Sequence, residues 1–360
     1  MTRRLLLLNG LAIIAIAIHH AGAYTLQAMF EWTDRYLPVA VPNYDQLGSP
    51  VYYIVMTLRL LLIWSVPAFL FISGYYAAFM ARGKQAKLKW DGMLPRVRVL
   101  LFPFIVWTIV RYALLRKVPA SLEEVLDPYH FVPVLIQFYL LAPLIVYAAK
   151  RNWKLVLAVA AITQGSLLVL RYLMDLGIVF PAQREILALT PRWFFISGNT
   201  FWFPFGIVFG LHLYKYQATL SRLKWWLLAG ATLLGTLILV EYGIVDRMNG
   251  EQWLGSVFTG LSTIPFTIAI ILCFAAFNDT PIPFSQDLAF IGARSLGIYM
   301  ANIPFVYVVA VLMYRLTPWL LGYHLVYFTI LFIAGLGGPL LLMEAVRRSP
   351  VHSQYRYVFG

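Results

Sequence analysis

Long apolar runs separated by short polar segments fill this chain. Ten of the runs are long enough to cross about 30 Å of hydrocarbon as helices. They lie at approximately 5–24, 52–80, 97–115, 131–149, 153–172, 193–213, 223–241, 255–277, 289–313 and 320–343. The pattern predicts an all-α, polytopic membrane protein with about ten transmembrane helices, organised as one domain over residues 1–360. Between the runs there is no water-soluble domain, low-complexity tract or tandem repeat. The runs 131–149 and 153–172 are the least separated, because only Lys150-Arg151-Asn152 stands between them. The first run, with Arg3-Arg4 ahead of it and Ala21-Gly22-Ala23 near its end, imitates a signal peptide. Its length suits a span, so it is read as a retained helix.

Charge placement then orients the helices, since lysine and arginine favour cytoplasmic loops. Arg82, Lys84, Lys87, Lys89, Arg96 and Arg98 share one loop, whereas the loop before it holds Glu31, Asp34 and Asp45. With Arg3 and Arg4 inside, ten spans put both termini in the cytoplasm, as in a multi-pass protein of a bacterial inner membrane type. The weak point is the segment 278–288, assigned inside yet carrying Asp279 and Asp287 with no lysine.

Composition agrees with this class. Apolar residues make up 61% of the chain, charged residues 12%, and the mean hydropathy is +0.76. The net charge of +13 is dispersed over loops, so the expected partners are membrane lipids and no nucleic acid. Cys273 is the single cysteine, which excludes an internal disulfide.

Polar residues inside apolar runs carry the functional signal, because an ionisable group at that depth costs a few kcal/mol and normally meets a partner or a wet cavity. His20, next to His19, is the leading candidate. Asn9 stands eleven residues earlier, about three helical turns, so both project from one face roughly 16 Å apart. A purely structural His20, neutral and hydrogen-bonded to a neighbouring helix, accounts for the segment equally well. Arg59 lies in the outer part of the second run and is expected either to share a cavity with His20 or to pair with an acid such as Asp45. Pro67 favours a kink, and Ser73-Gly74 permits close backbone approach. Asn199, Pro204, Gly206 and Gly210 in 194–210 suit either an acceptor groove or helix contacts. No metal site is expected: His19 and His20 point about 100° apart, and the other histidines are dispersed.

Several segments, taken in order, resemble the acyltransferase 3 family of integral membrane acyltransferases. Asn9 to His20 is similar to its first helix, where a basic residue precedes by eleven positions the histidine considered catalytic. Pro67-Ala68-Phe69-Leu70-Phe71-Ile72-Ser73-Gly74-Tyr75 resembles its Phe-rich Ser-Gly segment. Arg96-Val97-Arg98-Val99 ahead of Pro103, Tyr139-Leu140-Leu141-Ala142-Pro143, and Ser295-Leu296-Gly297-Ile298-Tyr299 resemble later motifs. Three positions depart from the family pattern. Asn9 replaces a basic residue, Val99 stands where a second basic residue is usual, and Asn302 stands where a histidine is usual.

The resemblance implies transfer of an acyl group, acetyl being the expected one, from acyl-CoA (acetyl-CoA) to a hydroxyl of a glycan or lipid acceptor. His20 would be the base, suited to taking a hydroxyl proton and returning one to the thiolate. Arg96 and Arg98 would hold the donor's phosphates at the inner rim. Asn9, Arg59, Ser73 or a backbone amide would serve the oxyanion, and Ser73 is counted with the donor-binding residues. The alternative, which the lost basic residues favour, is a catalytically inactive relative acting as an accessory subunit among other membrane subunits. A transporter is a third reading, for which repeated halves are missing.

Overall fold

The computed structural model describes residues 2–36, 49–82, 88–248 and 260–360, and every regular element within them is helical. The principal helices are α1 (Thr2–Phe30), α2 (Pro50–Leu61), α3 (Ser65–Met80), α4 (Trp90–Leu115), α5 (Phe131–Asp175) and α6 (Trp202–Leu211). They are followed by α7 (Lys224–Met248), α8 (Thr263–Ala276), α9 (Ser285–Ala293), α10 (Ser295–Leu316), α11 (His324–Arg348) and the short α12 (Tyr355–Phe359). Asp45, Lys84, Lys87 and the stretch 255–259 lie outside the described residues.

Among the described residues, seven helices are long and apolar enough to cross a membrane, against ten runs expected. The difference has identifiable causes. At 1.5 Å per residue the 45 residues of α5 would extend roughly 67 Å, more than twice the hydrocarbon thickness. The helix breaks at Asn152 (φ −151°, ψ 85°), at the turn expected between 131–149 and 153–172. The run 193–213 is not one helix. Only α6 is regular, and the backbone before it is held in turns by side chains: Thr200 Oγ1 donates to the carbonyls of Phe195 (2.9 Å) and Ser197 (2.8 Å). Gln164 Oε1 accepts the Phe201 amide at 2.8 Å. The last long runs shift as well, because Arg294 separates α9 from α10.

The second run is likewise broken. Residues 62–64 lie between α2 and α3, one turn before the Pro67 at which a kink is expected. Pro67 falls instead in the first turn of α3, where a missing N–H leaves nothing unpaired.

Arg4 settles where the acidic segment 278–288 lies. Its guanidinium donates to the carbonyls of Phe277 (2.6 Å), Asn278 (2.8 Å) and Thr280. The segment therefore sits at the N-terminal end of α1, the side on which the sequence puts it despite its acids.

Close backbone contacts lock the centre. A Cβ on Gly74 would run into the Phe203 carbonyl, and one on Gly206 into the Phe71 carbonyl, so α3 and α6 touch main chain to main chain. Gly10 and Gly292 join α1 to α9 in the same way. Overpacked sites of this kind typically cost about 1–3 kcal/mol. Gly206→Ala is expected to lower the midpoint of thermal unfolding in detergent, whereas Gly230→Ala on α7, where nothing lies within 4 Å, should leave it level or raise it. Equal midpoints for the two variants would refute this packing.

Candidate active site

Two of these breaks, the one at 62–64 and the one before α6, border one cavity. Ile63, Ser65 and Pro67 line it from the break in the second run, and Ser197, Asn199 and Trp202 from the irregular stretch before α6. Non-helical backbone at membrane depth persists only where it is buried in protein or faces a polar cavity. Here it does the latter, around His19 and His20, in a space of about 240 Å³.

His20 is fixed within that space by a chain of hydrogen bonds. Pro339 interrupts the ladder of α11 by lacking an N–H, which leaves the Gly335 carbonyl without its usual intrahelical donor. Asn302, fully buried on α10, fills that role with Nδ2 at 2.7 Å. Gly335 makes the approach possible, since a Cβ there would stand 2.6 Å from Asn302 Nδ2. With its amide group committed to a carbonyl, Asn302 presents Oδ1, an acceptor only, to His20 Nδ1 at 2.5 Å. The proton of the neutral ring therefore resides on Nδ1, and Nε2 keeps its lone pair. The structural reading of His20, a bond to a neighbouring helix, and the reading as a cavity residue are thus both true of the same ring.

A second cavity of about 460 Å³ adjoins the first on the side of α1 that carries its N-terminus. Asn9, Ser73, Tyr139, Ser295, Arg96 and Arg356 are among its lining residues. The Ser73 and Tyr139 hydroxyls are hydrogen-bonded, and Asn9 Oδ1 is buried with no hydrogen-bond partner. Tyr299 lines both cavities, and its ring packs on Phe131 at a centroid distance of 5.4 Å. Each short segment singled out in the sequence contributes a wall of one cavity or the other.

The individual candidates fare differently. His20, Asn9, Ser73 and Arg96 all line cavities: His20 the one farther from the N-terminus of α1, the outer cavity, and the other three the one nearer to it, the inner cavity. Arg98 is exposed and lines neither, because two residues along a helix turn the side chain about 200° away from Arg96. Val99 does face the inner cavity, where the missing cation would have been. Arg356 of α12 supplies a cation there instead, tethered by Phe359, which is buried, and by Trp107 Nε1 donating to the Val358 carbonyl at 2.9 Å.

Arg59 is buried but lines neither cavity. Its stem lies against Gly22, its Nε has no hydrogen-bond partner, and its backbone is met by His19. Asp45, its expected partner, is outside the described residues. Of the 194–210 candidates, Asn199 lines the outer cavity, while Gly206 and Gly210 are helix contacts.

Comparison with known proteins adds one finding. The model of the acyltransferase 3 family, described as an acyltransferase domain, matches residues 5–344. No curated protein and no solved structure matches the chain.

Proposed function

We propose, from the premise that this multi-pass membrane protein belongs to the acyltransferase 3 family, that it transfers an acyl group, acetyl in the expected case, from acyl-CoA to an acceptor hydroxyl. The acceptor is a glycan or lipid of the envelope, and the membrane is of the bacterial inner type with Arg3 and Arg4 on the cytoplasmic face. The observation that carries this reading is the His20–Asn302–Gly335 chain beside an open cavity: it leaves an unprotonated imidazole nitrogen where a hydroxyl can approach.

In the reaction the acceptor oxygen attacks the thioester carbonyl while His20 Nε2 takes the hydroxyl proton. A C–O bond forms, the C–S bond breaks, and the imidazolium returns the proton to the departing thiolate. Asn302 Oδ1 keeps the ring oriented and accepts from Nδ1–H throughout, the role that the third member of a nucleophile–base–orienter set performs. The donor enters through the inner cavity. Arg96 and Arg356 stand at its rim for the phosphates of CoA, and Asn9 Oδ1 is an orphan acceptor suited to an amide N–H of the pantetheine arm. Ser73 or a backbone amide is the group available to the oxyanion at His20, from which Asn9 stands about 16 Å along α1. Arg59, behind His19, acts through the position of the histidines.

Purified protein is expected to bind acetyl-CoA with an affinity that weakens as salt rises, because phosphate contacts are screened. Arg96→Gln and Arg356→Gln should each weaken it by roughly 10-fold, the loss of one charge-assisted contact, and should flatten the salt dependence, as read by calorimetry. Arg98→Gln should change neither. Absence of acetyl-CoA binding in the wild type would favour the accessory-subunit reading instead.

A further inference from the structure

The outer cavity carries more positive charge than proton transfer at His20 requires. Arg171, near the end of α5, and Arg192, in the irregular stretch before α6, line it together with His20. Arg171 Nη2 donates to the Thr190 carbonyl at 3.2 Å. Its Nη1 stands 3.7 Å from where a Cβ on Gly198 would be, so that glycine leaves the space before the guanidinium open. None of the described residues lining the cavity is Asp or Glu. The acid acting on Arg171 is Asp175, one turn farther along α5 and off the lining, while Arg192 acts on it as a like charge. Arg171 is partly buried and Arg192 exposed at the cavity's edge, so solvent moderates their repulsion and an anion between them relieves it further. The end of α6 that meets this wall is its N-terminus, whose amides favour negative charge.

We propose that an oxyanion of the acceptor, a carboxylate or a phosphate, binds between Arg171 and Arg192 while a neighbouring hydroxyl of the same molecule lies at His20. The inference rests on the acyl-transfer reading and narrows its acceptor to an acidic one. A cavity of about 240 Å³ is smaller than the roughly 300–1,000 Å³ of whole-ligand pockets, so it receives one end of the acceptor, the end bearing both groups.

The test uses native membranes, which contain the acceptor, and acetyl-CoA labelled in the acetyl group. The labelled product should be retained on an anion exchanger. Loss of retention after phosphatase or phosphodiesterase treatment identifies phosphate, and loss after carbodiimide coupling identifies carboxylate. Arg171→Gln and Arg192→Gln together should lower labelling at limiting acceptor by roughly 10- to 100-fold, with acetyl-CoA affinity unchanged, and Arg192→Lys, which keeps the bond from Arg171 to the Thr190 carbonyl, should recover part of it. A neutral labelled product, or full labelling by the double variant, would overturn the anion site alone. No label transferred by the wild type would remove the acyl-transfer reading itself.

Discussion

Replacing His20 with alanine is expected to lower acyl transfer by about 10²–10⁴-fold, the range contributed by a positioned general base. Folding should survive, because the ring lies against a cavity and its partner Asn302 keeps its bond to Gly335. Acetyl-CoA affinity should also survive, since Arg96, Arg356 and Asn9 are in the other cavity. Turnover measured alongside donor binding separates these effects. A variant that binds the donor as wild type does and still transfers at the wild-type rate would show that the base lies elsewhere. His19 offers the internal comparison: it shares the outer cavity but turns its ring to the Arg59 backbone, so His19→Gln should be far milder.

Asn302→Leu is expected to have the second largest effect, a fall in kcat of roughly 10- to 100-fold, comparable to loss of the group that orients a functional histidine. The substitution removes the acceptor of Nδ1–H and leaves the Gly335 carbonyl, already deprived of a donor by Pro339, unpaired and buried. The unpaired carbonyl costs about 1–3 kcal/mol of stability, visible as a lower thermal midpoint. Catalytic and structural consequences can be told apart by the split between kcat and KM. With the base free to rotate or change tautomer, kcat should fall while KM for acetyl-CoA stays level. An unchanged kcat would mean that the contact with His20 serves packing alone.

How much of this was legible in the sequence depends on the distance over which each arrangement is built. His20 stands out because imidazole is costly in hydrocarbon, and Asn9 because eleven residues return to the same helix face. Both are local readings, and the structure places both residues at cavities. The resemblance marks Asn302 as a departure from its pattern, a lost histidine. In three dimensions the same residue is what holds His20, through a glycine and a proline on another helix that no periodicity links to it.

Arg98 shows the opposite failure. Adjacency to Arg96 suggests a substitute for the cation missing at Val99, but helical geometry turns it outward, and the cation comes from Arg356 on a helix far along the chain. The run 193–213 has the hydropathy of a span, yet Ser197-Gly198-Asn199-Thr200 forms turns in which the Ser197 and Thr200 hydroxyls satisfy the backbone locally. Hydropathy averages over such residues, so the broken segment that walls the outer cavity was hidden from it. Arg171 and Arg192 were hidden for a related reason: each looks like an interfacial arginine until the fold directs both at one space.

His20 is proposed as a base in the outer half of the membrane that meets a thioester delivered from the side of Arg4 and Arg96. Sealed vesicles of both orientations, given acetyl-CoA labelled in the acetyl group, test it most directly. Inside-out vesicles carrying the wild-type protein should label their acceptor, right-side-out vesicles should not, and inside-out vesicles with His20→Ala should fall to background. Equal labelling with His20→Ala, or labelling only when acetyl-CoA is supplied to the outer face, would contradict the account.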